Sequence, residues 1–329
     1  ALGGAGRLAL NIILVPIAYG AARERRHVTW LVGAFVVGAV ISGTYGLVLS
    51  SSGGIDAGRL TGTLGESNAE GTVLAAAIPL LIALYIVIRH SARLKLAALI
   101  GVALLFAGLV GTLSREGLVS LGAVLVGAVV FGGRWRRHAV VLLVVGVTAT
   151  VGYYAVLAPP SSVQRVTMTD TSGRSSLWTV AWRVIQAHPL LGVGNGNFVQ
   201  VSRRYINQPG QIEAYYIVSQ PKVAHNTFLE AAADLGIPGL LMLLAVLWFL
   251  LSAAVRAAWT FERLGDGPME LIARGVFLAV LAVLASDMFV SGDYAKYQWL
   301  LFGLCPVLLA AARREEAGRP AQPYASAHV

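Results

Sequence analysis

The stretch HNTFLEAAADLGIPGLLMLLAVLWFLLSAAV, residues 225–255, joins two kinds of helix across a Gly-x-Pro break. Its second part, 237–255, is an apolar run close to the roughly 20 residues that carry a helix across a bilayer. Its first part sets a histidine, an asparagine and two acids, Glu230 and Asp234, directly beside that run. Asn226 or Thr227 can cap a short helix, and Thr227-x-x-Glu230 has capping-box spacing. Gly236 suits the left-handed position that closes a helix, and Pro238 the first turn of the next one. A polar turn at a membrane edge, followed by a span, is the expected arrangement.

The rest of the chain agrees with a membrane setting. It is 57% hydrophobic and only 12% charged over 329 residues, where a soluble domain would carry about twice that charge. The expected fold class is an all-α polytopic membrane protein. The net charge of +9 then orients connections and meets anionic headgroups. It needs no nucleic acid as partner. The single cysteine, Cys305, excludes a disulfide within the chain.

Nine spans are expected, at 8–20, 28–50, 70–88, 96–113, 117–132, 139–157, 237–255, 272–291 and 297–312. They divide the chain into an N-terminal bundle (1–157), a long loop (158–236), a C-terminal bundle (237–312) and a tail (313–329). The chain opens at Ala1, and its first apolar stretch is short, so further spans are expected upstream. Alternate connections differ in basic content. One set holds Arg23, Arg25, Arg26, Arg89, Arg93, Lys95, Arg134, Arg136, Arg137, Arg256, Arg263, Arg274, Arg313, Arg314 and Arg319. The other short connections hold only Arg7, Arg59, Arg115 and Lys296. The positive-inside rule makes the first set cytoplasmic and puts the 158–236 loop outside. Of the histidines, only His188 and His225 then face outward; His27, His90 and His138 fall in cytoplasmic turns and His328 in the tail.

The loop is too long for a plain connector. GRSSLWTVAWRVIQAHP (173–189) reads as a helix whose Leu177, Trp178, Ala181, Trp182 and Ile185 share a face, as in a helix lying in the headgroup layer. VSRRYINQPGQIEAYY (201–216) has no clear period and reads as irregular structure. His225 stands just before a helix N-terminus, whose partial positive charge disfavours imidazolium. A neutral ring able to take a proton is one reading; a plain interfacial turn is the other.

Three outward arginines sit at span edges: Arg59 in GRLTGTLGESNAEG (58–71), Arg115 in GTLSREG (111–117) and Arg174 at the start of the tryptophan helix. One such arginine would be read as snorkelling to the interface. Three beside a histidine point to an anionic ligand such as a diphosphate, which a guanidinium holds bidentately. Asp-x-Asp, P-loop, Gly-x-Ser-x-Gly and His-Glu-x-x-His motifs are absent from the sequence. Asp287 and Asp293 are secondary acids, readable as functional or as plain helix-end carboxylates.

His225-Asn226, nine residues and then Gly236-x-x-Gly239 resemble the signature of the O-antigen ligase and polymerase superfamily of bacterial envelopes. Ser114-Arg115, Gly173-Arg174 with Trp178 and His188-Pro189, GVGNGNF (192–198), and Gly58-Arg59 with Gly62 and Asn68 follow in the family's order. Glu66-Ser67-Asn68 departs from the Pro-Asn common in the family. The resemblance implies a glycosyltransferase of the bacterial inner membrane, acting at its extracytoplasmic face on a polyprenyl-diphosphate-linked glycan. The acceptor would be a lipid, a glycan or a protein hydroxyl, with membrane lipids around the chain. By position, His225 would be the catalytic base, Arg115 and Arg174 would hold the diphosphate, and Arg59 and Asn226 would complete the substrate contacts. Gly236 and Gly239 are the motif glycines. Inversion is implied, with no metal and no cofactor. A repeat-unit polymerase is the alternative within the family. A transporter of an anionic solute is the alternative outside it, although no internal repeat of the transporter kind stands in the sequence.

Overall fold

The computed structural model describes residues 6, 9–22, 24–51, 59–88, 91–167, 173–208, 212, 215–220, 222–292 and 295–318. Gly58, His90, Asp293, His328 and the arginines at 7, 23, 89 and 319 lie outside the described residues. The N-terminal part runs through α1 (Leu14–Ala21), α2 (Arg25–Ser51), α3 (Ser67–Val87), α4 (Ala92–Gly111), α5 (Arg115–Phe131) and α6 (Arg136–Gly152), the last continued by a π-helical turn, Tyr153–Leu157. Next come α7 (Pro160–Thr167), α8 (Arg174–Ala187), α9 (Phe198–Val201) and α10 (Tyr215–Val218). Last are α11 (Thr227–Arg263), α12 (Gly267–Asp287) and α13 (Lys296–Ala317). No strand occurs among the described residues. The protein is an all-α polytopic membrane protein.

A helix lies on each of the nine expected spans. Five of them, α2, α3, α4, α11 and α12, are long and apolar enough to cross a bilayer by length and composition. Two of the helices differ from expectation in ways that shape the site. The span expected at 272–291 stops at Asp287, because residues 288–292 leave the helix to brace another turn. The span expected at 237–255 is the lower limb of a 37-residue helix, α11, bent at Gly236.

Buried α3 and α12 form the centre, with α5, α11 and α13 packed around them. Small residues let the backbones close up. A Cβ on Gly71 would stand 3.3 Å from the Cα of Gly117, so α3 and α5 touch at that point without side chains. Ser120 of α5 donates to the Ala282 carbonyl of α12 at 2.8 Å, and Thr72 of α3 meets Ser286 of α12 at 2.7 Å. Such bonds tie polar groups to helices within an apolar bundle, where an unpaired group would be costly.

At the arginine-rich end the charges pair. Buried Arg274 contacts Glu270 at 2.9 Å and Glu262 at 2.7 Å, and Arg134 also reaches Glu270. Arg25 bridges Asp266 and Glu315 there. The other end carries the 158–236 loop.

That loop has its own apolar core. Leu177, Val180, Ala181, Val184 and Ile185 of α8 are buried against Phe198, Ile206, Val218, Ala224, Ala232 and Ala233. The expected tryptophan face is therefore corrected. Trp182 points outward, 54% exposed, while Val180 and Val184 complete the buried stripe. The apolar stripe of the helix packs on protein, and the two indoles do not share it. The described parts of the 201–216 stretch contain regular structure that the sequence did not suggest: a 3-10 turn, Ser202–Tyr205, continues α9, and α10 begins at Tyr215. Buried Arg183, unremarked in the sequence, holds that turn by donating to the Tyr205 and Ile206 carbonyls at 2.8 and 2.9 Å.

Cys305 is buried, so an introduced cysteine can report sidedness against a silent background. Asn207→Cys should react with an impermeant thiol reagent from outside intact cells, and Arg136→Cys only after permeabilisation. The opposite pattern would invert the topology read from the basic residues.

Candidate functional site

The site is built where three helices begin. Asn226 is the N-cap of α11: its side-chain oxygen accepts from the Phe228 and Leu229 amides, both at 3.0 Å. Of the two candidate caps it is Asn226, not Thr227, that does the capping, so the Thr227 capping box does not form. Thr227 instead donates to the Val290 carbonyl at 2.9 Å and accepts from the Gly292 amide at 2.9 Å. Glu230 reaches back one turn to accept from the Ala224 amide at 3.0 Å and from Ser291. Asn226 also donates to the Met288 carbonyl at 3.0 Å. The 288–292 turn thus holds the His225 turn in place.

Asp287 proves to be a helix-end carboxylate with structural partners. Buried, it accepts from Gln298 at 2.8 Å and lies 3.3 Å from the Thr227 hydroxyl. It ties the starts of α11 and α13 to the end of α12.

His225 itself has φ +51, a left-handed conformation rare for a residue with a side chain. Leu113, at φ +47, is its only non-glycine counterpart among the described residues. The two occupy equivalent places. Leu113 precedes Ser114, the N-cap of α5, which accepts from the Gly117 amide at 3.2 Å. Such conformations cost about 1–3 kcal/mol and gather at functional sites. Here each one turns the chain sharply into a helix whose first residues face the other helix starts.

Arginines occupy two of those starts. Arg115 is the first residue of α5, and Arg174 the first of α8, entered through the left-handed Gly173 at φ +75. A cation there opposes the partial positive charge of the helix N-terminus. Glu116, 3% exposed, offsets it by an ion pair with Arg174. The Glu116 carboxylate is also within electrostatic reach of Arg59 and Arg115. Arg59 donates to the Thr112 carbonyl at 3.0 Å and to Asn68 Oδ1 at 2.8 Å, and Ser114 donates to the same Asn68 oxygen at 3.1 Å. Asn68 therefore acts in this loop despite the changed residues before it.

His225 joins this cluster. Its ring is half-buried, and burial lowers its pKa below 6.5, with the charges of Arg174 and then Lys222 lowering it further. Both effects favour the neutral ring. Its nitrogens make no hydrogen bond to the described residues, which leaves them for a ligand. His188, by contrast, is exposed at the far end of α8, paired with the Tyr205 hydroxyl at 2.8 Å. Glu116 links Arg174, Arg59 and Arg115, and Arg174 in turn acts on His225, while His188 pairs with Tyr205 instead. Among the described residues no three His, Cys, Asp or Glu side chains are grouped to hold a metal ion.

The break at Gly236 fixes the upper limb of α11. Gly236 has φ +73 and ψ 179, a fully extended ψ in place of the expected left-handed one. The Ala233 and Asp234 carbonyls, freed there, accept from the Val193 and Gly194 amides at 3.0 and 2.8 Å. A Cβ on Gly236 would fall 2.4 Å from the Leu190 carbonyl oxygen, and one on Gly192 2.3 Å from the Asp234 carbonyl carbon. Gly239 is small because the bend lays Leu235 against it, 2.2 Å from where a Cβ would stand. The Asp234 side chain then accepts from the Phe198 amide at 2.8 Å and from the Gly196 amide. The two glycine motifs are thus halves of one joint.

Comparison with known proteins agrees with this geometry. Residues 100–244 match the family model of O-antigen ligase, Wzy_C. The match supports the O-antigen ligase and polymerase superfamily. The matched stretch contains Arg115, Arg174, His225, Asn226, Gly236 and Gly239, while Arg59 lies ahead of it. No curated protein matches the chain. The family match supports an activity of the O-antigen ligase or polymerase type.

Sequence reasoning missed Glu116, and noted Asp234 without its partners. An acid directly after Arg115 was the available signal for the first, and glycines at 192, 194 and 196 for the second. Asp234→Ala would strip the Gly196 and Phe198 amides of their acceptor. Buried unpaired amides cost about 1–3 kcal/mol each, so the variant should melt well below the native chain in detergent. An unchanged melting temperature would mean the glycine loop is held by its backbone bonds alone.

Proposed function

We infer that the chain is a glycosyltransferase of the O-antigen ligase type. It moves a glycan from a polyprenyl diphosphate to an acceptor hydroxyl at the outer face of the bacterial inner membrane, without a metal and with inversion. The observation that carries this reading is that Arg174, the first residue of its helix, acts on a half-buried histidine just before another helix and shares the Glu116 carboxylate with Arg115, the first residue of a third. Cations so placed are disfavoured by their own helices. A bound diphosphate would reverse that cost, since helix N-termini and guanidinium forks both favour phosphate oxygens.

The chemistry follows from the charges. His225 takes the proton of the acceptor hydroxyl as its oxygen attacks the anomeric carbon. The bond from that carbon to the phosphate oxygen breaks, and the electron pair leaves on the diphosphate. Arg115 and Arg174 stabilise the charge that develops there, the service that fixed donors render to a leaving anion. Arg59 works one step back: its bonds to Thr112 and Asn68 hold the turn that presents Ser114 and Arg115. Asn226 likewise shapes the turn that carries His225. With a lipid A–core sugar as acceptor the reaction is ligation; with a second lipid-linked repeat it is polymerisation.

His225→Ala should reduce transfer from a purified lipid-linked donor by about 10² to 10⁴, with donor binding retained. The base works only when unprotonated, and its pKa is lowered from 6.5. The rate should therefore rise with pH through a midpoint below 6.5. Transfer by His225→Ala at the native rate, or a rising limb above pH 6.5, would remove His225 from the role of base.

A further inference from the structure

The transfer chemistry needs cations and a base at this site, yet a carboxylate stands in the middle of it. Glu116 is 3% exposed and paired with Arg174. Its second oxygen, Oε2, is buried without a hydrogen-bond partner among the described residues. Arg59 and Arg115 act on it electrostatically as well. A buried acid at the centre of an anion site weakens that site for every anion. A reason to keep it lies in the charge of the two ligands that a transferase must handle in turn.

We propose that Glu116 is a positioning residue that balances the site for a diphosphate diester and promotes departure of the monoester product. The inference rests on the glycosyl-transfer reading above. The donor is a diphosphate esterified at both ends and carries two negative charges. Together with Glu116 it balances the guanidinium charges of Arg59, Arg115 and Arg174. Transfer breaks the bond between the anomeric carbon and oxygen, leaving both electrons on the diphosphate, while the acceptor's proton passes to His225. Once His225 returns that proton to water, the polyprenyl diphosphate bears a third charge. The cluster then holds one negative charge in excess. Repulsion between Glu116 and the extra charge is felt strongly because the carboxylate is buried and poorly screened. Donor binding meets no such excess.

Glu116 thus separates substrate from product by charge where their diphosphate groups are otherwise alike. It also holds Arg174 in place while the site is empty. Without that pairing, a guanidinium at a helix N-terminus would turn away to solvent. Both effects follow from one carboxylate, and they differ in what its removal should do. Loss of charge balance raises product affinity; mere loss of a brace lowers the affinity for every ligand.

The experiment compares P1,P2-dimethyl diphosphate, a diester, with methyl diphosphate, a monoester, by calorimetry on the purified full chain at pH 8. The native chain should bind the two within about tenfold of each other. Glu116→Gln should shift that ratio about tenfold toward the monoester, and Glu116→Asp should leave it near native. An unshifted ratio in Glu116→Gln, or weaker binding of both ligands alike, would overturn the proposal. So would a native preference for the monoester of about a hundredfold or more, which needs no variant to measure. Binding of neither ligand to the native chain would sink the transferase reading itself, a result separable from failure of the Glu116 proposal alone.

Discussion

A helix broken beside a membrane leaves carbonyls that must find donors, and the break at Gly236 meets that demand with the 192–194 amides. The remainder of the 158–236 region depends on this exchange. Because the Val193 and Gly194 amides are committed to the upper limb of α11, the loop that follows α8 is pinned, and Asp234 extends the hold to Gly196 and Phe198. The C-terminal end of α8 is thereby fixed over α11. Its buried stripe of Leu177, Val180, Ala181, Val184 and Ile185 fixes its rotation. Arg174 is delivered to Glu116 by a helix held at its far end, and Trp178, one turn along, sets its ring 6.1 Å from that of Phe289 in the turn that braces His225. Gly236 and Gly239 accordingly serve the architecture, with no reactive group of their own.

The same packing explains how a histidine stays neutral without a carboxylate partner. Burial alone disfavours imidazolium, and Arg174 and Lys222 add like charge. In the proposed reaction Arg174 thus has two consequences: it offers a place for an anion, and it favours the unprotonated form of the base beside it. An arrangement with a carboxylate oriented on the imidazole would raise its pKa instead. The carboxylate of this site, Glu116, is paired with Arg174.

Much of the bundle was legible because length and apolarity mark a span regardless of its neighbours. The Asn226 cap and the break before Pro238 were legible for a similar reason, since caps and glycine bends are decided within a few residues. The tryptophan helix was misread because a stripe of Leu177, Ala181 and Ile185 is equally apolar toward lipid or protein. Only the presence of Phe198, Ile206 and Ala232 beneath it turns Trp182 outward. Glu116 and the partners of Asp234 escaped notice for a different reason. Arg174 and the 196–198 amides, which the two acids meet, are distant in sequence, and no local pattern shows where a carboxylate will find them. The candidate residues were named from their order along the chain. Their meeting is a property of tertiary structure alone.

The central claim is electrostatic: His225 is kept neutral by burial and by Arg174, within one anion site. The most direct test is the pKa of His225, read by NMR from a selectively labelled imidazole in the detergent-solubilised chain and again in Arg174→Gln. The account predicts a native value below 6.5 that rises when the guanidinium is removed. A native value at or above 6.5, unmoved by the substitution, would contradict it.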